Sequence, residues 1–435
     1  MLKKEKVDWI RTNIQYGILH VLIGMVTQQG KKVLRALTQE LKIITIIRVS
    51  NQSEVFINNQ GSHSSVMAAL INLNMSKLLF KFVVIAMFGF SCSDPKKNNE
   101  NVEIIAINDA NYKEEIPLSA FVNKIRIMPL ETTSTSFIVE VTKLIETENA
   151  IYILDRPGKR ILKFAKDGKF ISQIGREGKG PGEYITPFDM EVLDNEIFVL
   201  DFSSRKLKSY DSEKLNYNYE INSPVGALEI SVIGGKLIFY CMSDSKDAPS
   251  YFVMCNMNGS MPTKLAESRY SQSSIKLLGS TIFCGNGLIS RFFESVIYQI
   301  DNNRFSAKFN IDFGDREMPE IKTITNQKVI NKDFAYYYRY KTYNCQRFLI
   351  FDFLGYKKRL YCFYDKDDKR TIWGKIKNDV RYDSFLPFYP RFSAFNSLIG
   401  AFSPEVFINN KNNEEITELK SLKFTDNPVL VYYDL

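Results

Sequence analysis

The sequence predicts an all-β chain, a six-bladed β-propeller of four-stranded antiparallel blades, and three observations carry that expectation. A two-strand unit repeats at about one blade length, turn residues punctuate short apolar runs from residue 102 onward, and helical periodicity is confined to a stretch around Glu320 to Asp333. The repeat is the sharpest of the three. Ile151-Tyr-Ile-Leu-Asp155 with Arg160-Ile-Leu-Lys-Phe164 recurs as Ile197-Phe-Val-Leu-Asp201 with Arg205-Lys-Leu-Lys-Ser-Tyr210, which places the aspartates 201 − 155 = 46 residues apart. Successive four-stranded blades have about this period.

Taken from the N-terminus, residues 1–74 show no clear core pattern and read as translated upstream sequence or a spurious or disordered extension. Met75-Ser-Lys-Leu-Leu-Phe-Lys81, the apolar run Phe82 to Phe90 and Ser91-Cys92-Ser93-Asp94 then have the layout of an export signal, two lysines ahead of a short apolar block closed by small residues. The block is too short to span a bilayer. Its end resembles the lipobox of bacterial lipoprotein signals, with Gly89-Phe90-Ser91 in place of the usual leucine and two small residues. That resemblance implies a signal over 75–91, lipidation of Cys92, and a mature chain that starts there. Pro95-Lys96-Lys97-Asn98-Asn99-Glu100 continues a flexible tether over 92–101, leaving 102–435 for the propeller.

Within the propeller, Asp167-Gly168 and Asp211-Ser212 supply the reversals of the two clear repeats. Weaker echoes follow at Lys236–Tyr240 with Tyr251–Met254, at Gly287–Ser290 with Val296–Tyr298, at Arg347–Ile350 with Leu360–Tyr364, at Ser397–Ile399 and at Pro428–Tyr433. Blades of about 40 to 60 residues divide the mature length into about six to eight, and six fits once the tether is set aside. Because a propeller leaves only short protected edges, the final strand Val429–Tyr433 should close the ring on Val102–Ile107 or Ile125–Leu130.

Charge and composition exclude several functions. The whole chain carries 57 basic and 49 acidic residues, but the stretch before Met75 holds nine and four of these and the signal adds Lys77 and Lys81. The mature part therefore has 57 − 9 − 2 = 46 basic and 49 − 4 = 45 acidic residues, near neutrality, so no nucleic-acid footprint is expected. Both histidines, His20 and His63, lie upstream of the signal, which removes His-based triads and His-ligated metals from the mature chain. Any chemistry would fall to carboxylates, Lys, Tyr, Arg or an oxygen-ligated calcium. Cys241, Cys255, Cys284, Cys345 and Cys362 sit among apolar neighbours with no CxxC spacing and are expected to pack as small hydrophobes, with one disulfide possible in an oxidising compartment.

Gly175-Arg-Glu-Gly-Lys-Gly-Pro-Gly-Glu-Tyr184, then Pro187-Phe-Asp-Met190 and Ile197-Phe-Val-Leu-Asp201, resembles the interblade pattern of NHL-type propellers. More closely, it is similar to the six-bladed propeller lipoproteins of the Bacteroidetes, and Asn378-Asp379, Phe388-Tyr-Pro390 and Asp426-Asn427-Pro428-Val-Leu-Val431 agree. The resemblance implies an envelope lipoprotein of the outer membrane, on its periplasmic face or at the cell surface, and says little about activity.

Candidate residues divide by whether they repeat. Asp155, Arg160, Asp201 and Arg205 recur in register, so they read as structural, each Asp accepting from turn amides and pairing with the Arg of its blade. Gly178-Lys-Gly-Pro-Gly182 lacks the spacing of a phosphate loop and reads as a turn. Unrepeated polar groups in connections, Arg156, Arg176, Glu183, Arg291 and Glu294, are candidates to line the central funnel. Asn378 and Asp379, with Arg381 and Asp383, form a polar cluster that could hold calcium or simply make a turn. Tyr336 and Tyr338, in the run Phe334-Ala-Tyr-Tyr-Tyr-Arg-Tyr340, offer flat amphipathic faces for a sugar or peptide, while alternation should bury about every second residue of the run. The expected function is a lipid-anchored monomeric module that binds a glycan or an envelope protein without chemistry and without a cofactor. The alternative is a calcium- or carboxylate-dependent hydrolase or lyase using the funnel. A third, a subunit of an outer-membrane assembly, would show an exposed apolar patch.

Overall fold

A computed structural model describes residues 102–242, 249–271, 283–291, 294–301, 304–317, 337–355, 358–380, 385–410 and 419–435. The signal with Cys92, the region of Glu320 to Asp333, Tyr336, Arg381 and Asp383 lie outside the described residues. The chain is a six-bladed β-propeller, and the blades follow one another in sequence.

From the inside outward, blade 1 is Lys143–Glu146, Ile151–Asp155, Arg160–Phe164 and Phe170–Gln173, all antiparallel. Blade 2 is Pro187–Leu193, Glu196–Asp201, Lys206–Asp211 and Tyr217–Asn222, and blade 3 is Ala227–Ile233, Lys236–Cys241, Pro249–Asn256 and Thr263–Ser271. Blade 4 presents Leu288–Ser290, Val296–Asp301 and Arg304–Asp312, with Phe283 bridging Ile289 on the inner side. Blade 5 is Tyr338–Asn344, Phe348–Gly355, Lys358–Asp365 and Arg370–Lys377. Blade 6 is Phe392–Ala394, Ser397–Phe402 and Val429–Asp434, completed by Lys124–Pro129.

Alternation explains why these sequences stack as blades. In the strand Ile151–Asp155, Ile151 and Ile153 pack against Phe392, Ile399, Leu430 and Tyr432 of blade 6. Tyr152 and Leu154 of the same strand pack against Met190, Ile197 and Val199 of blade 2. Side chains alternate across a strand, so a strand sandwiched between two blades is apolar on both faces, which is why these runs read as continuously hydrophobic. Inner hairpins are tight: Ile233 pairs with Lys236 across Gly234 and Gly235, whose φ of 56° and 71° suit the two-residue turn that only glycine-like residues adopt readily.

The N-terminal stretch is a belt around the outside. Glu103–Ala106 adds to blade 4 and Tyr112–Pro117 to blade 5, each as a parallel outermost strand, before Lys124–Pro129 completes blade 6. The closing strand therefore pairs with the second of the two expected segments. The first segment goes instead to the rim of blade 4, because Ile105 and Ile107 reach an apolar cluster with Phe309, Ile311 and Trp373.

Because strands alternate in direction, two sets of loops share one face, called the upper face below. They are the loops joining second to third strands and the connections between blades. The inner hairpins occupy the opposite face.

Candidate functional site

The inner strands of a propeller wall its central channel, and here one position on them carries charge in four blades. Lys143 pairs with Leu154, Asp189 with Leu200, Glu229 with Tyr240 and Lys341 with Asp352, so each precedes its partner on the second strand by the same interval. In blades 2, 3 and 5 the register shifts just ahead of this position, between Pro187 and Asp189, Ala227 and Glu229, and Arg339 and Lys341. Such a bulge bends the strand and re-aims the following side chain. Blades 2 and 5 stand opposite each other in a six-membered ring, as do blades 3 and 6. Asp189, Glu191 and Glu229 thus make an acidic wall facing Lys341 of blade 5 and Arg391, which leads into blade 6.

Hydrogen bonds lace this ring together. Lys143 Nζ lies 3.0 Å from Asp189 Oδ1, and Asp189 Oδ2 accepts from the Ile230 amide at 2.8 Å, joining blades 1, 2 and 3. Lys341 Nζ donates to the Arg391 carbonyl at 3.1 Å, and Arg391 pairs with Glu140 at 3.1 Å, joining blades 5, 6 and 1. Burial pulls the Lys143 ammonium down, but Asp189, Glu191 and Glu229 more than reverse this and hold it above the ordinary lysine range. Burial raises the Glu191 carboxyl and Asp189 adds to the effect, against the opposing pull of the Lys143 ammonium. Lys341 goes the other way: burial, then Arg391 and Arg359, lower its amine to about 8 against the opposing pull of Asp352 and Glu229. The fully buried Asp352, which accepts from the Lys341 amide at 2.6 Å, is itself raised by burial.

Sequence expectations concerned other residues. Asp155 accepts from the amides of Val139, Glu140 and Gly158 at 3.0, 3.2 and 3.0 Å. Asp201 accepts from Ile185 and Thr186 at 3.0 and 2.9 Å and from Ser204 Oγ at 2.6 Å. Both buried carboxylates therefore pin the chain entering a blade to the loop leaving its second strand. A Cβ on Gly158 would stand 2.2 Å from Asp155 Oδ2, so that loop takes a glycine where the carboxylate passes. Arg205 adopts a left-handed φ of 55° at the loop's last position, and Lys159 does the same at 51°.

Arg291 and Glu294 form a buried ion pair at 2.9 Å, with the guanidinium over the rings of Phe252, Tyr298 and Phe305 between blades 3 and 4. Ser290 pairs with Ile297, so Arg291 occupies in blade 4 the place of Asp155 and Asp201. Arg156 lies on the upper face, over the Phe188 ring at 4.0 Å and donating to the Phe188 carbonyl at 3.0 Å. Arg176 and Glu183 pair at 2.7 Å, and Glu183 also accepts from the Gly180 amide at 2.8 Å, which folds the connection between blades 1 and 2. Those two bonds, the amide first, hold the Glu183 carboxyl below the usual range.

Asn378 donates to the Leu386 carbonyl at 3.0 Å, while Asp379 accepts from Ser119 Oγ and N at 2.6 and 2.8 Å, capping the turn Leu118–Ala120. Ser119 holds the Asp379 carboxyl low. Its stabilising effect is present at neutral pH and lost as pH falls below the ordinary carboxylate range. Asp379→Ala should cost about 0.5–1 kcal/mol, discounted for exposure, and make the melting temperature of the variant less acid-sensitive than that of the parent. Equal acid sensitivity would remove Asp379 from that account.

Of the aromatic run, Tyr338 belongs to the inner strand of blade 5, and Tyr337 is core, packed on Phe313, Phe353 and Trp373. Cys241, Cys255, Cys284, Cys345 and Cys362 are all buried, and burial pushes Cys241 and Cys345 up to about 12. Among the described residues no group of three His, Cys, Asp or Glu side chains is placed to hold a metal ion. No described helix is long and apolar enough to cross a membrane.

Residues 102–434 match a family described as a domain of unknown function, DUF4934. No curated protein matches the chain. Among solved structures, a protein of Bacteroides fragilis described as exported is 18% identical, with a TM-score of 0.61, over 76% of this chain and 98% of its own. A DUF4221 member from Bacteroides vulgatus is 11% identical, with a TM-score of 0.47, over 72% of this chain and 96% of its own. The first likeness bears on the fold alone.

Proposed function

Since this chain belongs to the DUF4934 family over residues 102–434, we propose that it is a cell-envelope propeller that binds a glycan or a protein at the upper mouth of its channel and performs no chemistry there. The observation that carries this reading is the repeated charged position, Lys143, Asp189, Glu229 and Lys341, at one register on the inner strands that wall the channel and behind a strand bulge in three of the four blades. A position that keeps its geometry while changing its charge from blade to blade suits a recognition surface, where a rigid scaffold presents different groups to one ligand. Export is supported by the signal layout ending at Cys92, which would carry the lipid, and by the exported description of the Bacteroides fragilis protein. An outer-membrane location follows the Bacteroidetes lipoprotein resemblance.

Thermal unfolding with calcium, with EDTA, and with a panel of host and bacterial glycans tests the reading. A ligand that binds only the folded protein raises the midpoint by mass action, about 2.7 kcal/mol at a hundredfold excess over Kd. A glycan-dependent rise that EDTA leaves unchanged would identify a glycan ligand, and no rise with any of these additions would point to a protein or peptide ligand. A rise that requires calcium would overturn the reading in favour of a calcium-dependent hydrolase or lyase.

A further inference from the structure

The channel mouth is bipolar, and its rim is apolar. Acids occupy the inner strands of blades 2 and 3, as Asp189, Glu191 and Glu229, with Lys143 of blade 1 paired to Asp189 and leaving two acids to one base there, while Lys341 and Arg391 hold the opposite wall at blades 5 and 6. Above them, on the loops of the same face, Phe137, Val139, Phe202, Val225 and Tyr389 are exposed large hydrophobic residues. Phe202 packs on Phe188 at 5.3 Å beneath Arg156, and Arg359 stacks over Tyr389 at 4.6 Å, so parts of this rim are fixed in place. A neutral sugar would use neither wall, and a simple ion would use only one.

Building on the binding-module reading above, we infer that the mouth takes a short apolar peptide with both ends free, its ammonium toward Glu191 and Glu229 and its carboxylate toward Lys341 and Arg391. The apolar side chains of such a peptide would lie on the aromatic rim, where tyrosine and phenylalanine offer large contact area at low entropic cost. The charge state of the walls agrees. Burial and Asp189 raise the Glu191 carboxyl against the opposing pull of the Lys143 ammonium, so a ligand ammonium arriving beside it would favour its charged form further. Lys341, faced by Asp352, Glu229, Arg391 and Arg359, has its amine lowered to about 8, so it is charged at neutral pH and an arriving carboxylate would favour that form further. Affinity for the carboxylate end should therefore fall as pH rises through about 8.

The test is calorimetric titration of the protein with free dipeptides to tetrapeptides of Ala and Leu, alongside the same peptides N-acetylated or C-amidated, and a neutral oligosaccharide as comparison. At least one free peptide should bind, and capping either end should weaken it by tenfold or more. Lys341→Met should shrink the penalty of amidation while keeping that of acetylation, and Glu229→Gln should do the reverse. Equal binding of free and capped peptides would overturn the inference, as would no peptide binding. Oligosaccharide binding without peptide binding would leave the binding module standing and remove only its peptide ligand; no binding by any probe would remove both. The capping comparison needs no variant, so a substitution that unfolds the protein leaves the outcome decisive.

Discussion

Deleting residues 429–435 is expected to abolish cooperative folding altogether. Val429–Asp434 lies between Ser397–Phe402 and Lys124–Pro129, so its loss opens the ring as well as the blade. Val429, Leu430, Val431, Tyr432 and Tyr433 are all at or below 1% exposure. Five such side chains at about 1.5–3 kcal/mol each represent on the order of 10 kcal/mol, as much as the net stability of a typical domain. Circular dichroism of the truncated chain should show no sharp thermal transition. A transition within a few degrees of the parent would mean that the ring does not depend on its closing strand.

Asp201→Ala should be the most damaging single substitution of a polar residue, costing about 3–5 kcal/mol. Its carboxylate is fully buried and serves the Ile185 and Thr186 amides and the Ser204 hydroxyl. Bonds to a charged acceptor contribute about 1.5–3 kcal/mol each, and alanine would leave buried donors with no acceptor. Asp155→Ala should behave alike, since its acceptors serve the corresponding loop of blade 1. Urea midpoints of the two variants read this directly. A loss below about 1 kcal/mol in both would show that the interblade loops hold themselves without the carboxylates.

Those aspartates were legible because they repeat with the strands around them: the same loop is built twice, with the same residue at the same step. The channel residues were not, for an instructive reason. Lys143, Asp189, Glu229 and Lys341 repeat in place but not in chemistry, so a search for recurring residues passes over them. The signal that could have found them is a charged side chain in an apolar run, at one fixed interval ahead of its partner on the next strand, in four blades. Arg291 was legible only in part. It does lie in a connection, as its lack of repetition indicated, but it fills the aspartate's slot there and is buried between blades 3 and 4 in a pair with Glu294. The closing strand and its partner were legible from hydrophobic pattern and topology, whereas the belt was hidden because Glu103–Ala106 and Tyr112–Pro117 are short and take partners far away in sequence.

That belt sets a timetable for the growing chain. Glu103 pairs with Phe309, Tyr112 with Trp373 and Lys124 with Asp434, each joining an early strand to one made much later. At roughly 5–20 residues synthesised per second, the first strands of the propeller wait on the order of 10–60 s before their partners exist. Blades 1 to 3 can assemble during that interval, while the rims of blades 4 and 5 stay bare until the earliest-made segment wraps back over them. Completion of the ring is thus held until its last strand exists, and a bare strand edge in the meantime is a template for pairing with a neighbouring copy.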